Sequence, residues 1–292
     1  MTFGGPAGES GYSDASTVPL VEGTIPRGGR PPGGQEAPGL GMPRRTSRRR
    51  RFRRGLRRML TVLIALALVA VMAFIGVFLV TPSVSNAPAL ARSFDLAHHI
   101  TYPGPPVPSR FAAALVSTED HRFYSEPGID PFAIGRVVRG RITGQPDQGG
   151  ATLYQQLAKM LYTPRGSGVW AEVEQIMLGI KLDLSYTKAQ ILRLYAEVAY
   201  FGHGYYGLAA ASCGYFGVTP AGLSWPQAAM LAGLVQAPSA DNPLAHYSVA
   251  RAREAHVLGR LAATGMLTQA QASQAYRQPL HLVGGPGTAC TR

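Results

Sequence analysis

Ser117-Thr-Glu-Asp-His-Arg-Phe-Tyr-Ser-Glu-Pro-Gly-Ile-Asp130 is the stretch on which the reading of this chain turns. An apolar run with helical spacing, Phe111 to Thr118, delivers two adjacent carboxylates, Glu119 and Asp120. A tight Glu-Pro-Gly turn follows. Acids that close a buried helix sit where water is partly excluded, and desolvation raises a carboxylate pKa toward the range a general base needs. On its own, a Glu-Asp pair at a helix end is more often a solvated terminus than a catalyst.

A second stretch shifts that balance: Gly149-Gly-Ala-Thr-Leu-Tyr-Gln-Gln-Leu-Ala-Lys159. Leu153, Leu157 and Met160/Leu161 make an apolar stripe there. Thr152, Gln156 and Lys159 make a polar one at i, i+4, i+7 spacing. An ordinary amphipathic helix with a wet face has the same pattern, so polarity alone does not decide. The two stretches together resemble glycosyltransferase family 51, the peptidoglycan transglycosylases. The family's first motif, Glu-Asp-x-x-Phe-x-x-His-x-Gly, falls on Glu119, Asp120, Phe123 and Gly128. Its second, Gly-x-Ser-Thr-x-x-Gln-Gln-x-x-Lys, falls on Gly149, Thr152, Gln155, Gln156 and Lys159. Two long motifs in the right order are a specific signal. The resemblance continues to about Met266.

The resemblance implies a mostly α, lysozyme-like glycosyltransferase domain, expected over residues 109–280 and followed by a tail, 281–292. It implies that Glu119 is the catalytic base. Asp120, Phe123, Thr152, Gln155, Gln156 and Gln175 would contact substrate. Lys159 and Arg136 would hold the pyrophosphate of a lipid-linked sugar, Arg136 because the family places a phosphate-contacting arginine at the same distance after the base. The resemblance also allows a divalent cation, Mg or Mn, to bridge that pyrophosphate. No metal-ligand cluster is visible in the sequence, and no other cofactor is expected.

The third motif departs from the family. Where the family reads Arg-Lys-x-x-Glu, this chain has Ala171-Glu-Val-Glu-Gln175. Two cationic positions are lost, and Gln175 replaces a glutamate with a group that neither carries charge nor accepts a proton. Glu174 is one residue away, but one residue is about 100° around a helix, so it points elsewhere. Ser167 replaces a phosphate-binding arginine, with Arg165 as a nearby substitute. Ala151 and Glu126 replace the serine of the second motif and the histidine of the first. Farther on, Arg193-Leu-Tyr-Ala-Glu197 occupies the place of Glu-x-Tyr-x-Asn. His203 has no neighbouring acid or cysteine and reads as a loop residue.

Charge and hydropathy place the domain in the cell. Of the net +12, the first 58 residues hold twelve arginines against four acids. Ten of those arginines lie between Arg44 and Arg58. Met59 to Val80 carries no charge, and 22 residues of helix span about 33 Å, enough for a bilayer core. An arginine tract directly before an apolar run points to an anionic membrane surface rather than nucleic acid. It also predicts a cytoplasmic N-terminus, a single span at 59–80 and an extracytoplasmic domain. A cleaved signal ending at Ala89-Leu-Ala91 is the competing reading, disfavoured because the apolar run is too long and the site too far beyond it. Residues 1–43 are Gly- and Pro-rich, so 1–58 reads as a disordered tail with a basic tract. Residues 81–108 read as a linker.

Beyond that the signals are helical. Ser109 reads as a cap, Asp130-Pro131 as a helix start, and Thr187, Ser224 and Thr268 as capping boxes with the glutamines three residues on. Gly202, Gly217 and Gly265 mark stops. Two cysteines, Cys213 and Cys290, make no metal site; they could pair outside the cytoplasm, or Cys213 could be a buried thiol.

Three functions stay open. One is a monofunctional peptidoglycan glycosyltransferase polymerising lipid-linked disaccharide (lipid II) onto a growing glycan, without a transpeptidase half. Another is a non-catalytic relative that binds lipid-linked saccharide or other cell-wall synthases. The weakest is a lysozyme-like hydrolase. Glycan polymerisation by the purified protein separates them.

Overall fold

A computed structural model describes residues 46–126 and 151–284. Gly128, Arg136, Gly149, Cys290 and the Asp130-Pro131 start lie outside the described residues. The chain divides into two compact units between Leu60 and Thr61.

The helix α1, Thr46–Val80, crosses that division. Arg51–Val80 is long and apolar enough to cross a membrane, and none of it is buried. The helix begins at Thr46, well before the apolar run, so the last part of the arginine tract is helical. Arginine is a good helix former, and extending an existing helix costs little compared with nucleating one.

The second unit is built from α2 (Ala87–Ala97), α3 (Ser109–Glu119), α4 (Leu153–Tyr162), α5 (Gly168–Ser185), α6 (Lys188–Val198), α7 (Leu208–Phe216), α8 (Trp225–Leu234), α9 (Tyr247–Ala263) and α10 (Gln269–Arg277). Among the described residues the β structure is one isolated bridge, Tyr200 to Tyr206. The domain is mostly α, as expected.

Helix α8 lies at the centre, and Pro226 through Leu234 are all buried. Helices α3 and α9 pack against it. Gly233 makes the α9 approach possible, since a Cβ there would stand 2.5 Å from Arg253 Cγ. The end of α3 is fixed to α9 by two contacts: Ser117 Oγ to Thr264 Oγ1 at 2.9 Å, and Arg260 Nε donating to the Ser117 carbonyl at 3.1 Å. Glu119 is two residues beyond this pin.

The stretch read as a linker contains α2, and its Val84, Ala87 and Ala91 belong to the core. Lys181 on α5 donates to the carbonyls of Thr81 at 2.6 Å and Pro82 at 3.2 Å, directly after α1. Tyr186 and Tyr162 donate to the Val84 carbonyl at 2.8 and 3.3 Å. These bonds tie the segment that follows α1 to α4 and α5.

The capping boxes at Thr187, Ser224 and Thr268 are all present. Two expectations need correction. Ser109 is the first helical residue of α3 and does not cap it; extended Pro108 holds the cap position without a side-chain bond. Gly202 does not stop a helix, because α6 ends at Val198 with Ala199 as its cap. It turns the chain inside the Tyr200–Tyr206 bridge with φ +84°, where a Cβ would lie 2.2 Å from the Pro238 carbonyl oxygen. Gly217 does cap α7 in the left-handed region, at φ 67°. Cys213 on α7 is disulfide-bonded.

Candidate active site

Two helix ends meet at the centre of the site. Glu119 is the last residue of α3, and Asp120 is its C-cap. The Asp120 carboxylate crosses to the start of α4, where Oδ2 accepts from the Leu153 amide at 3.0 Å. That satisfies one of the open amides of a helix start and places a negative charge at the positive end of its dipole. Thr152 and Gln155 complete the start as a reciprocal capping box. Motif residues thus fix how α4 meets α3.

Gln156, on the first turn of α4, then reaches Glu119: its Nε2 donates to Oε2 at 3.0 Å. Behind it the Tyr195 hydroxyl on α6 donates to Gln156 Oε1 at 2.8 Å. Tyr195 is buried, and burial holds its phenol well above the ordinary pKa, so it remains a donor. This fixes the amide with its NH2 toward the carboxylate. Tyr195, Gln156 and Glu119 form one directed chain of bonds. Glu119 Oε1 is left without a donor among the described residues.

Burial raises the Glu119 pKa above its ordinary value; the Gln156 bond and the Arg253 charge pull it down, and Asp120 pushes it up. Its place at the negative end of α3 acts in the raising direction too. The carboxylate is therefore more basic than a surface glutamate, yet is kept ionisable by one hydrogen bond and one nearby guanidinium. That combination suits a general base.

The other expected residues fall into groups. Lys159 shares the face of α4 that carries Gln156 and is exposed. Gln175 donates to Thr163 Oγ1 at 3.0 Å and so ties α5 to the end of α4. Thr152 and Asp120 are buried, with the polar contacts just described. Phe123 is fully buried and packs in the core, 5.3 Å from the Tyr154 ring with Lys188 Nζ over its face. Arg193 and Glu197 form an ion pair at 3.3 Å and both hold Gly104, through its carbonyl and its amide. His203 sits in its loop, its ring tilted against that of Tyr205 at 5.3 Å.

Arg253 was not foreseen. It follows Glu119 by more than a hundred residues, and no local pattern links the two. It pairs with Asp241 at 3.1 Å and lies over Gly233. Among the described residues no three His, Cys, Asp or Glu side chains converge as a metal set. The described side chains do not by themselves form a cation cage.

The family profile described as Transglycosylase matches residues 92–262. This chain belongs to the transglycosylase family. A Cupriavidus necator protein named as a transglycosylase is 34% identical over 176 residues, covering 60% of this chain and 76% of its own length. Penicillin-binding protein 1A of Aquifex aeolicus is 39% identical over 60% of this chain, and that of Escherichia coli 36% over 58%. The chain spans only 24% and 20% of those two proteins.

Proposed function

We propose that this transglycosylase is a membrane-anchored peptidoglycan glycosyltransferase, polymerising lipid-linked disaccharide (lipid II) with release of polyprenyl pyrophosphate. The observation that carries this reading is the Tyr195–Gln156–Glu119 chain. It holds one oxygen of a half-buried carboxylate on the α4 face that also bears Lys159, and the other oxygen meets no donor among the described residues. Glu119 Oε1 takes the proton from the acceptor 4-hydroxyl as that oxygen attacks the donor anomeric carbon. The bond from that carbon to the pyrophosphate breaks, and the configuration inverts. Lys159 meets the charge developing on the leaving pyrophosphate, an electrostatic role suited to an ammonium. Arg136 shares that role by its motif position.

The orientation follows the arginine tract: N-terminus cytoplasmic, domain outside. A disulfide at Cys213 agrees with an oxidising compartment. The test is consumption of lipid-linked disaccharide by the full chain in detergent, with Glu119→Gln as control. Polymer from wild type and none from the variant supports the reading. Equal rates at a clearly detectable level remove Glu119 as base.

The second reading, a non-catalytic lipid-linked saccharide or synthase-binding member, is favoured by Ala171–Gln175. Gln175 donates its amide to Thr163, and Ala171 and Glu172 stand where the family motif has its two cations. Lipid binding without turnover in any variant selects it.

A further inference from the structure

Side chains from α4 and from the far end of α5 close on the point where α1 stops. Lys181, on α5, gives its ammonium to the carbonyls of Thr81 at 2.6 Å and Pro82 at 3.2 Å, and the centroid of the Phe78 ring lies 4.8 Å from the same nitrogen. A cation at the C-terminal end of a helix meets the negative end of its dipole, and an aromatic face adds to the attraction. Thr81 closes the helix from its own side, its hydroxyl donating to the Phe78 carbonyl at 2.9 Å. Farther on, the Val84 carbonyl accepts from Tyr186, the C-cap of α5, at 2.8 Å. It also accepts at 3.3 Å from Tyr162, the last residue of α4, whose hydroxyl reaches Asn86 Oδ1 at 2.9 Å as well. The Val84 side chain is buried, as are Ala87 and Ala91 on α2. The chain between α1 and α2 is thus fastened along its length rather than hinged.

A loose tether would keep the domain near a bilayer without orienting it. This fastening also orients, because of where it lands. Tyr162 lies beyond Lys159 and Gln156 on the same helix, by rises of about 4.5 Å and about 9 Å. Val80 ends the apolar run and marks the hydrocarbon edge, and Val84 follows closely. The candidate site is therefore joined to that edge through one short helix.

We propose that Lys181, Tyr186 and Tyr162 form a latch that fixes the height and tilt of the α4 face over the bilayer, so that the pyrophosphate of a lipid-linked substrate meets Lys159 at headgroup level. The inference rests on the glycosyltransferase reading. All three are positioning residues, acting through the segment that leaves α1. Such a latch matters where substrate and anchor share a bilayer. In a micelle the lipid-linked substrate approaches from any direction, and a fixed height confers nothing.

The experiment measures consumption of lipid-linked disaccharide by the full chain in two media: detergent micelles, and anionic phospholipid vesicles that hold both protein and substrate. Wild type is compared with Lys181→Met, Lys181→Arg and the double variant Tyr162→Phe/Tyr186→Phe. In vesicles, Lys181→Met and the double variant should lose about tenfold in kcat/KM, a loss of orientation with proximity kept. In detergent both should stay within about twofold of wild type, since no group that meets the reacting atoms has changed. Lys181→Arg, whose guanidinium can donate to both carbonyls, should recover most of the vesicle rate. The tyrosine pair carries the comparison should Lys181→Met fail to fold. Equal losses in the two media, or no loss in either, overturn the proposal.

Amide hydrogen exchange in the same vesicles is independent of turnover. Residues 83–91 should exchange about tenfold faster in Lys181→Met and in the double variant than in wild type, as a locally released segment does. Unchanged exchange there overturns the proposal. If wild type consumes no substrate in either medium, the glycosyltransferase reading fails, and amide exchange alone decides whether the latch holds.

Discussion

The end of α3 and the first half of α5 have diverged to different degrees from one family pattern. Where α3 meets α4, four polar motif residues have internal partners: Asp120 the Leu153 amide, Gln156 both Tyr195 and Glu119, Thr152 and Gln155 each other. Around Ala171–Gln175 the side chains are mostly half-buried or exposed, and Gln175 reaches only the end of α4. A residue embedded in a chain of bonds cannot be changed without leaving a buried polar group unpaired, which costs about 1–3 kcal/mol. A cation facing solvent and substrate can be lost with little effect on the fold. Glu119 and its scaffold thus form one bonded unit, while the start of α5, where the proposed function would need cations, is separable from it.

Perturbing each region should show this asymmetry. Glu119→Gln should lower polymerisation by about a thousandfold, within the range for loss of a general base, with the unfolding midpoint nearly unchanged. Measured turnover within tenfold of wild type would break the comparison at its strongest point. Tyr195→Phe removes one neutral donor behind Gln156, and its kcat should fall about fivefold. A larger fall in KM-dependent terms than in kcat would mean that Tyr195 serves substrate rather than Gln156. On α5 the expected changes are smallest and opposite in sign. Gln175→Glu and Glu174→Lys should each raise kcat/KM by about two- to threefold by restoring charges the family carries. The two are neighbours, so the double variant need not show the product. Loss of activity in both would place α5 inside the base's unit.

The sequence made the helical class and the two-motif site legible for a physical reason. Capping boxes, apolar periodicity and motif spacing are local, and Thr187, Ser224 and Thr268 acted as their spacing implies. What it could not show were contacts between distant elements. Arg253 bears on Glu119 through the close approach of α8 and α9 that Gly233 permits, and no short-range pattern encodes it. Phe123 sits in a motif beside the base, yet its ring turns into the core; a motif position does not reveal which way a side chain points. The stretch before α3 looked like a linker because Pro and Ser are frequent in it. Its binding to the domain depends on Lys181, Tyr162 and Tyr186, which lie far along the chain.

The central claim is that Glu119 is the base and that Gln156 keeps it ionisable. Because Glu119 must be ionised to accept a proton, activity should fall as pH falls through its raised pKa. The most direct measurement is the acid limb of the kcat profile in wild type and Gln156→Leu. Removing the Gln156 donor takes away an interaction that lowers the Glu119 pKa, so the limb should move to higher pH. The plateau rate should fall by about tenfold or more, as for loss of a hydrogen bond to a charged group. An acid limb at the same pH in both proteins would show that the titrating group is not the Glu119 carboxylate that Gln156 holds.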